Sequence, residues 1–205
     1  MVGINQVQVR PAIDLTFANA LRSILRQDPD IIMVGEIRDF ETAQLAVRAS
    51  MTGHMVLSTI HTNDAIATIT RLEDMGIEPY MLGPCLNLVI AQRLVRRICQ
   101  YCKESYEEDP AIRSRLGIDP DVTLYHGTGC RTCMNTGYLG RTAIYEMVPV
   151  NRKLGRAINR GAPEEELNEL SSQLGMTTLR HSGVNKIEQG VTTVEEVMEK
   201  TMALE

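Results

Sequence analysis

The first half of the sequence predicts an α/β fold built on a parallel sheet, and three stretches carry the prediction. The apolar run Ile31-Ile32-Met33-Val34 begins after the turn signal Asp28-Pro29-Asp30 and stops at Gly35-Glu36. A short branched run between turn residues reads as a strand buried on both faces. Phe40 to Met51 then carries Ala43, Leu45, Ala46, Val47 and Ala49 at helical spacing, with Gly53 to end it. A second run, Met55-Val56-Leu57-Ser58-Thr59-Ile60, follows. Strand, helix and strand in that order form a βαβ unit, which requires parallel strands.

The remaining elements follow from local chemistry. Met1 to Arg10 alternates apolar and polar residues as a half-exposed strand does, and Pro11 closes it. Leu15 to Gln27 places Phe17, Leu21, Ile24 and Leu25 on one helical face, with Thr16 as N-cap. Beyond the second strand, Asn63-Asp64 caps a helix from Ala65 to Met75 that ends at Gly76. Pro79 opens another, read from Tyr80 through Leu88-Val89-Ile90 to Arg97.

From Ile98 the character changes. Cys99 to Arg141 is rich in Gly, Pro, Cys and charge, and only Ala111 to Leu116 reads as a helix there. Arg141 to Val150 alternates as a strand. Four helical segments close the chain: Arg152–Asn159, Pro163–Leu174, Thr178–Gln189 and Val194–Met202. Pro163 followed by three glutamates is a strong helix start, since proline lacks the N–H that would go unpaired and the acids suit the dipole. These shifts divide the sequence at 1–97, 98–141 and 142–205.

Composition narrows the function. The chain has 205 residues, 43% hydrophobic and 23% charged, as soluble globular proteins do. No apolar run approaches a membrane-spanning length. A net charge of −5 argues against general nucleic-acid affinity. Four of the five cysteines fall in two C-x-x-C pairs, which suits a metal in a reducing compartment better than disulfides. A cytoplasmic protein is expected.

Two constellations carry chemistry. Glu36 sits just past the carboxyl end of the first strand, where open α/β sheets place their ligands. An apolar strand ending in an acid is the Walker B pattern, in which the acid handles magnesium or the attacking water of a nucleotide. His54 and His61 flank the second strand, on opposite faces and near opposite ends by their spacing. Arg38 and Asp39 follow Glu36 and suit either a local salt bridge or a substrate contact. The second constellation is Cys99-x-x-Cys102 with Cys130-x-x-Cys133, separated by residues 103–129. Each pair can bite one edge of a tetrahedron, so four thiolates point to structural Zn²⁺. A filled site of this kind leaves no vacancy for the nearby His126. Cys85 reads as a core residue. Arg93, Arg96 and Arg97 read as basic residues closing a helix, with pairing to a nucleotide or a neighbouring subunit as the alternative.

The segment LRQDPD–IIMVGEIRD resembles the Walker B box of the secretion ATPases, and TGHMVLSTIHTNDA their histidine box. CQYCK and GCRTCMNTGYLGR resemble the tetracysteine element of the secretion and pilus-extension branches. These are the hexameric motors of bacterial type II secretion and type IV pilus assembly. The resemblance implies the C-terminal part of a RecA-like P-loop ATPase core, followed by the zinc element and a helical region. It implies ATP and Mg²⁺ as ligands, Glu36 as the catalytic acid, and His54 and His61 as sensors of the terminal phosphate. It further implies a homohexamer working on an inner-membrane platform protein, without nucleic acid. No G-x-x-x-x-G-K-[ST] phosphate loop occurs in these 205 residues, so these residues alone are expected to be inactive. Two other classes fit parts of the pattern: a zinc-stabilised adaptor without catalysis, and a DNA-translocating motor of the same fold.

Overall fold

The computed structural model describes residues 8–201. In chain order its elements are α1 (Phe17–Ile24), β1 (Ile31–Val34), α2 (Phe40–Met51), β2 (Met55–Ser58), α3 (Ile66–Asp74), α4 (Pro79–Cys85) and β3 (Leu88–Ile98). Then come β4 (Lys103–Tyr106), α5 (Pro110–Leu116), β5 (Leu124–Gly127), β6 (Tyr138–Pro149), α6 (Arg152–Asn159), α7 (Glu164–Gln173), α8 (Leu179–Glu188) and α9 (Val194–Thr201). They pack as two units. One holds the chain up to Thr62 with Ala67–Asn87 and Val150–Leu167, and the other holds Asn63–Ile66, Leu88–Pro149 and the chain from Asn168. The strand expected over residues 1–10 lies mostly outside the described residues.

In the first unit β1 and β2 pair in parallel, Ile31 beside Met55 through to Val34 beside Ser58. Thr16 caps α1 by accepting the Asn19 N–H, and Asp39 caps α2 by accepting the Thr42 N–H at 2.8 Å. The βαβ unit is therefore as the sequence predicts. The burial differs. Ile32 and Val34 are buried against Leu21 and Ala49, whereas Ile31, Met33, Met55 and Leu57 share the opposite face and are 66, 78, 49 and 52% exposed. The strand expected to be buried on both faces is covered on one. Helices α4 and α6 meet at Gly83 and Gly155, where a Cβ on Gly83 would stand 2.5 Å from the Gly155 carbonyl oxygen.

The second unit corrects the helix expected up to Arg97. Pro84 lies in the last turn of α4, and the residue after that helix, Leu86, is already extended. Residues 88–98 form β3, antiparallel to β6 from Leu88 beside Pro149 to Arg96 beside Arg141. Its burial alternates: Val89, Ala91 and Val95 are buried, and Leu88, Ile90 and Leu94 are exposed. That is the period of a strand, and it draws residues 88–97 into this unit rather than the first. Strands β4 and β5 form a second antiparallel pair. Ile118, Leu124, Val184, Ile187, Val194 and Val197 make the core beneath it.

Glu196 fastens α9 to β3. It is 1% exposed, accepts the Arg96 backbone N–H at 2.7 Å and Nε at 2.6 Å, and the same guanidinium lies 4.0 Å over the Tyr138 ring. Burial pushes its carboxyl up, but the Arg96 hydrogen bonds outweigh that and hold it below its ordinary 4.5. A depressed carboxyl stabilises the fold above its unfolded pKa and loses that contribution as pH falls through the folded one. Glu196→Gln is expected to cost about 1–3 kcal/mol at neutral pH. It should also flatten part of the stability loss below pH 4.5, as urea melts across that range would show.

Candidate functional site

The carboxyl end of β1 delivers Glu36 in the turn Gly35-Glu36-Ile37. One carboxylate oxygen, Oε1, pairs with the Arg38 guanidinium at 2.6 Å, and Oε2 lies 3.4 Å from His61 Nε2. Glu36 is about one-third exposed and His61 almost fully so. The hydrogen bond from Arg38 holds the Glu36 carboxyl below its ordinary 4.5; partial burial opposes it, and the charges of Arg38 and His61 add to the lowering. Glu36 is therefore a solvent-facing anion with a cation beside it. Of the two residues after it, Arg38 makes the local salt bridge and Asp39 caps α2.

His61 joins Glu36, but His54 does not. His54 precedes β2 at its amino end, and β2 runs parallel to β1, so the two histidines sit at opposite ends of the strand. His54 Nδ1 lies 3.0 Å from the Ala49 carbonyl and 3.0 Å from Thr52 Oγ1. A carbonyl can only accept, so Nδ1 carries the proton and closes the last turn of α2.

The four cysteines converge in the second unit. Their sulfurs all lie within 4.8 Å of one another, with Cys99–Cys130 at 3.9 Å, Cys102–Cys133 at 3.8 Å and Cys130–Cys133 at 3.7 Å. A disulfide would need about 2.05 Å. Four sulfurs bound at about 2.3 Å around one ion stand about 3.8 Å apart, so the set fits a tetrahedral metal. Burial pushes the Cys102 thiol up to about 12. Burial also acts upward on Cys133, yet N–H groups of Cys130 and Gly137, at 3.2 and 3.3 Å, hold it down to about 6. Those donors are what a bound thiolate requires. His126 stands apart, tilted against the Tyr106 ring at 5.1 Å. Cys85 is half-buried, donates to the Val47 carbonyl, and is pushed up by burial.

The family model described as Type II/IV secretion system protein matches residues 1–199. The chain belongs to that family. It is 50% identical over 204 residues to the type IV pilus assembly ATPase PilB of Thermus thermophilus, covering 98% of this chain and 23% of that protein. It is 51% identical over 201 residues to the type II secretion system protein E of Pseudomonas aeruginosa, covering 97% and 40%. The chain thus spans only 23% and 40% of the length of these two relatives. Among solved structures, the pilus retraction motor PilT with bound ADP superposes with a TM-score of 0.64 at 31% identity. It covers 92% of this chain and 45% of that one.

Within this family member, the three arginines read as closing a helix lie on β3 instead. Arg93 reaches the Asn63 carbonyl at 2.8 Å, Arg96 is taken by Glu196, and Arg97 is exposed. Sequence reasoning missed Glu196, whose partner is 100 residues away. It also passed over Thr59, whose only signal is a hydroxyl between the second strand and His61.

Proposed function

We propose that this chain is the carboxyl-terminal part of a RecA-like P-loop ATPase that powers type II secretion or type IV pilus assembly. One observation carries the reading: an ionised, partly exposed glutamate at the carboxyl end of a parallel strand, with a histidine beside it from the neighbouring strand's end. Glu36 is the acid that orients the attacking water. Bound Mg²⁺ would neutralise phosphate charge, and it commonly takes only one or two carboxylates, so Glu36 fits as its protein partner. His61 is placed to hydrogen-bond a terminal phosphate through its exposed ring. His54, by the family resemblance, remains a phosphate sensor in this proposal, although its closing of α2 accounts for its contacts. While Arg38 engages Oε1, Glu36 is a weak base, because its carboxyl is held low by that bond. Catalysis then requires Arg38 to release it.

Cys99, Cys102, Cys130 and Cys133 hold one structural Zn²⁺, which closes the two knuckles and leaves no open position for chemistry. The working form is a cytoplasmic homohexamer that moves an inner-membrane platform protein and does not act on nucleic acid. Among the described residues no helix is long and apolar enough to cross a membrane.

A paired measurement tests the proposal. These 205 residues lack the ring of backbone N–H groups and the lysine that hold a triphosphate. Calorimetric titration with ATP·Mg²⁺ is expected to show no binding at micromolar concentrations, and phosphate release no turnover. A longer protein joining this segment to a phosphate loop is expected to hydrolyse ATP steadily. Micromolar binding by the 205 residues, or no turnover by the longer protein, would sink the reading.

A further inference from the structure

Glu36 occupies a turn, and a turn this exposed does not aim a side chain by itself. Two hydrogen bonds from one residue hold it. Thr59, just past the end of β2, donates its Oγ1–H to the Gly35 carbonyl at 2.7 Å. The Thr59 carbonyl accepts the Ile37 N–H at 2.9 Å. The Gly35 carbonyl belongs to the peptide plane before Glu36, and the Ile37 N–H to the plane after it. Peptide planes are rigid, so only φ and ψ of Glu36 turn one plane against the other. Tying both planes to the same residue restrains both angles.

We propose that Thr59 is the positioning residue for Glu36, setting the direction of its carboxylate from the neighbouring strand. The inference rests on the assignment of Glu36 as the water-orienting acid. The same short segment also carries His61 to Oε2, so Thr59 sets both members of the pair in one step. Threonine suits this better than serine, since its branched Cβ restricts the hydroxyl to few rotamers. Valine keeps the shape and the backbone acceptor and removes only the bond to Gly35. Gly35 itself offers no steric constraint, as a Cβ there would meet nothing within 4 Å. Nothing crowds the turn at Gly35, which leaves the two bonds from Thr59 as its restraint there.

Two measurements decide. In these 205 residues, amide hydrogen exchange at Ile37 can be followed by NMR in wild type, Thr59→Val and Thr59→Ser. The Ile37 N–H is bonded to the Thr59 carbonyl, so wild type is expected to be protected. In Thr59→Val, which loses the bond to Gly35, exchange should quicken by about tenfold or more, and in Thr59→Ser it should stay near the wild-type rate. Unchanged exchange in the valine variant overturns the proposal. In the longer motor, Thr59→Val should lower kcat about tenfold or more with KM for ATP within about twofold, since small misplacement of a catalytic group costs heavily. Thr59→Ser should restore most of it. An unchanged kcat in the valine variant, where Glu36→Gln is inactive, overturns the role of Thr59 and leaves Glu36 standing. If Glu36→Gln is itself active, the Glu36 assignment fails, and exchange at Ile37 still decides whether Thr59 holds the turn.

Discussion

Chelation at neutral pH is expected to remove one zinc per chain and to open the segment from Cys99 to Arg141. Without the ion, four thiols stand 3.7–3.9 Å apart along the measured edges with no bond between them. Backbone N–H groups hold Cys133 towards its thiolate, which suits a cation at the centre of the set. Much hangs on that cluster. The Cys99 N–H bonds to the Gly137 carbonyl, the Thr128 N–H to the Cys102 carbonyl, and Cys133 Sγ accepts from two backbone donors. Gly127 and Gly137 approach so closely that a Cβ on Gly127 would stand 2.0 Å from the Gly137 carbonyl oxygen. Such contacts are expected to loosen once the knuckles are released. Structural zinc binds small domains with an apparent free energy of about 10–16 kcal/mol, and binding of this kind is largely folding energy. The readouts are elemental analysis, thiol reactivity and limited proteolysis. Protected thiols in the metal-loaded chain should give way to reactive cysteines and cleavage within 99–141. A chain purified without zinc, with reactive Cys99 and Cys130, would end the four-thiolate reading.

The first unit was legible wherever a side chain acts on its own neighbours. Thr16 marks a helix start because it accepts an N–H three residues on, a local event that a sequence reading can anticipate, whereas Asp39, read as a salt-bridge or substrate residue, does the same for α2. Gly53 and Gly76 mark ends through left-handed backbones of φ +102° and +95°. Strand β3 was not legible. Its run Leu88-Val89-Ile90 onward supports helical and strand spacing alike, and the choice is made by β6, some 50 residues later, which supplies the ladder. The exposed face of β1 and β2 was hidden for a related reason: an apolar run states that residues avoid water, not which surface covers them. At the site, Glu36 and His61 were readable from their places after adjacent strands. Spacing also placed His54 at the far end, but only the Ala49 contact shows what holds it there. Thr59 and Glu196 act through backbone groups and distant partners, which leave no trace in composition or period.

Glu36→Gln in the longer motor is expected to leave ATP binding largely intact while turnover collapses. Glutamine keeps the length and shape of the side chain but carries no charge and cannot take a proton. General acid–base groups contribute about 10²–10⁴ in rate, so kcat should fall by at least about a hundredfold. The fall should appear in kcat with KM little changed, because phosphate binding rests on other groups. Stability should hardly move, since the Arg38 side chain that loses its partner is 73% exposed and such pairs contribute little. That separates this variant from a folding defect. The pH profile adds a second check. Glu36 is held below 4.5 in the folded chain, so it stays ionised through neutrality and its loss of activity should appear only in acid. The glutamine variant should lack that acid limb. Were hydrolysis to survive within about tenfold, a barrier change of about 1.4 kcal/mol, Glu36 would be a structural acid paired with Arg38.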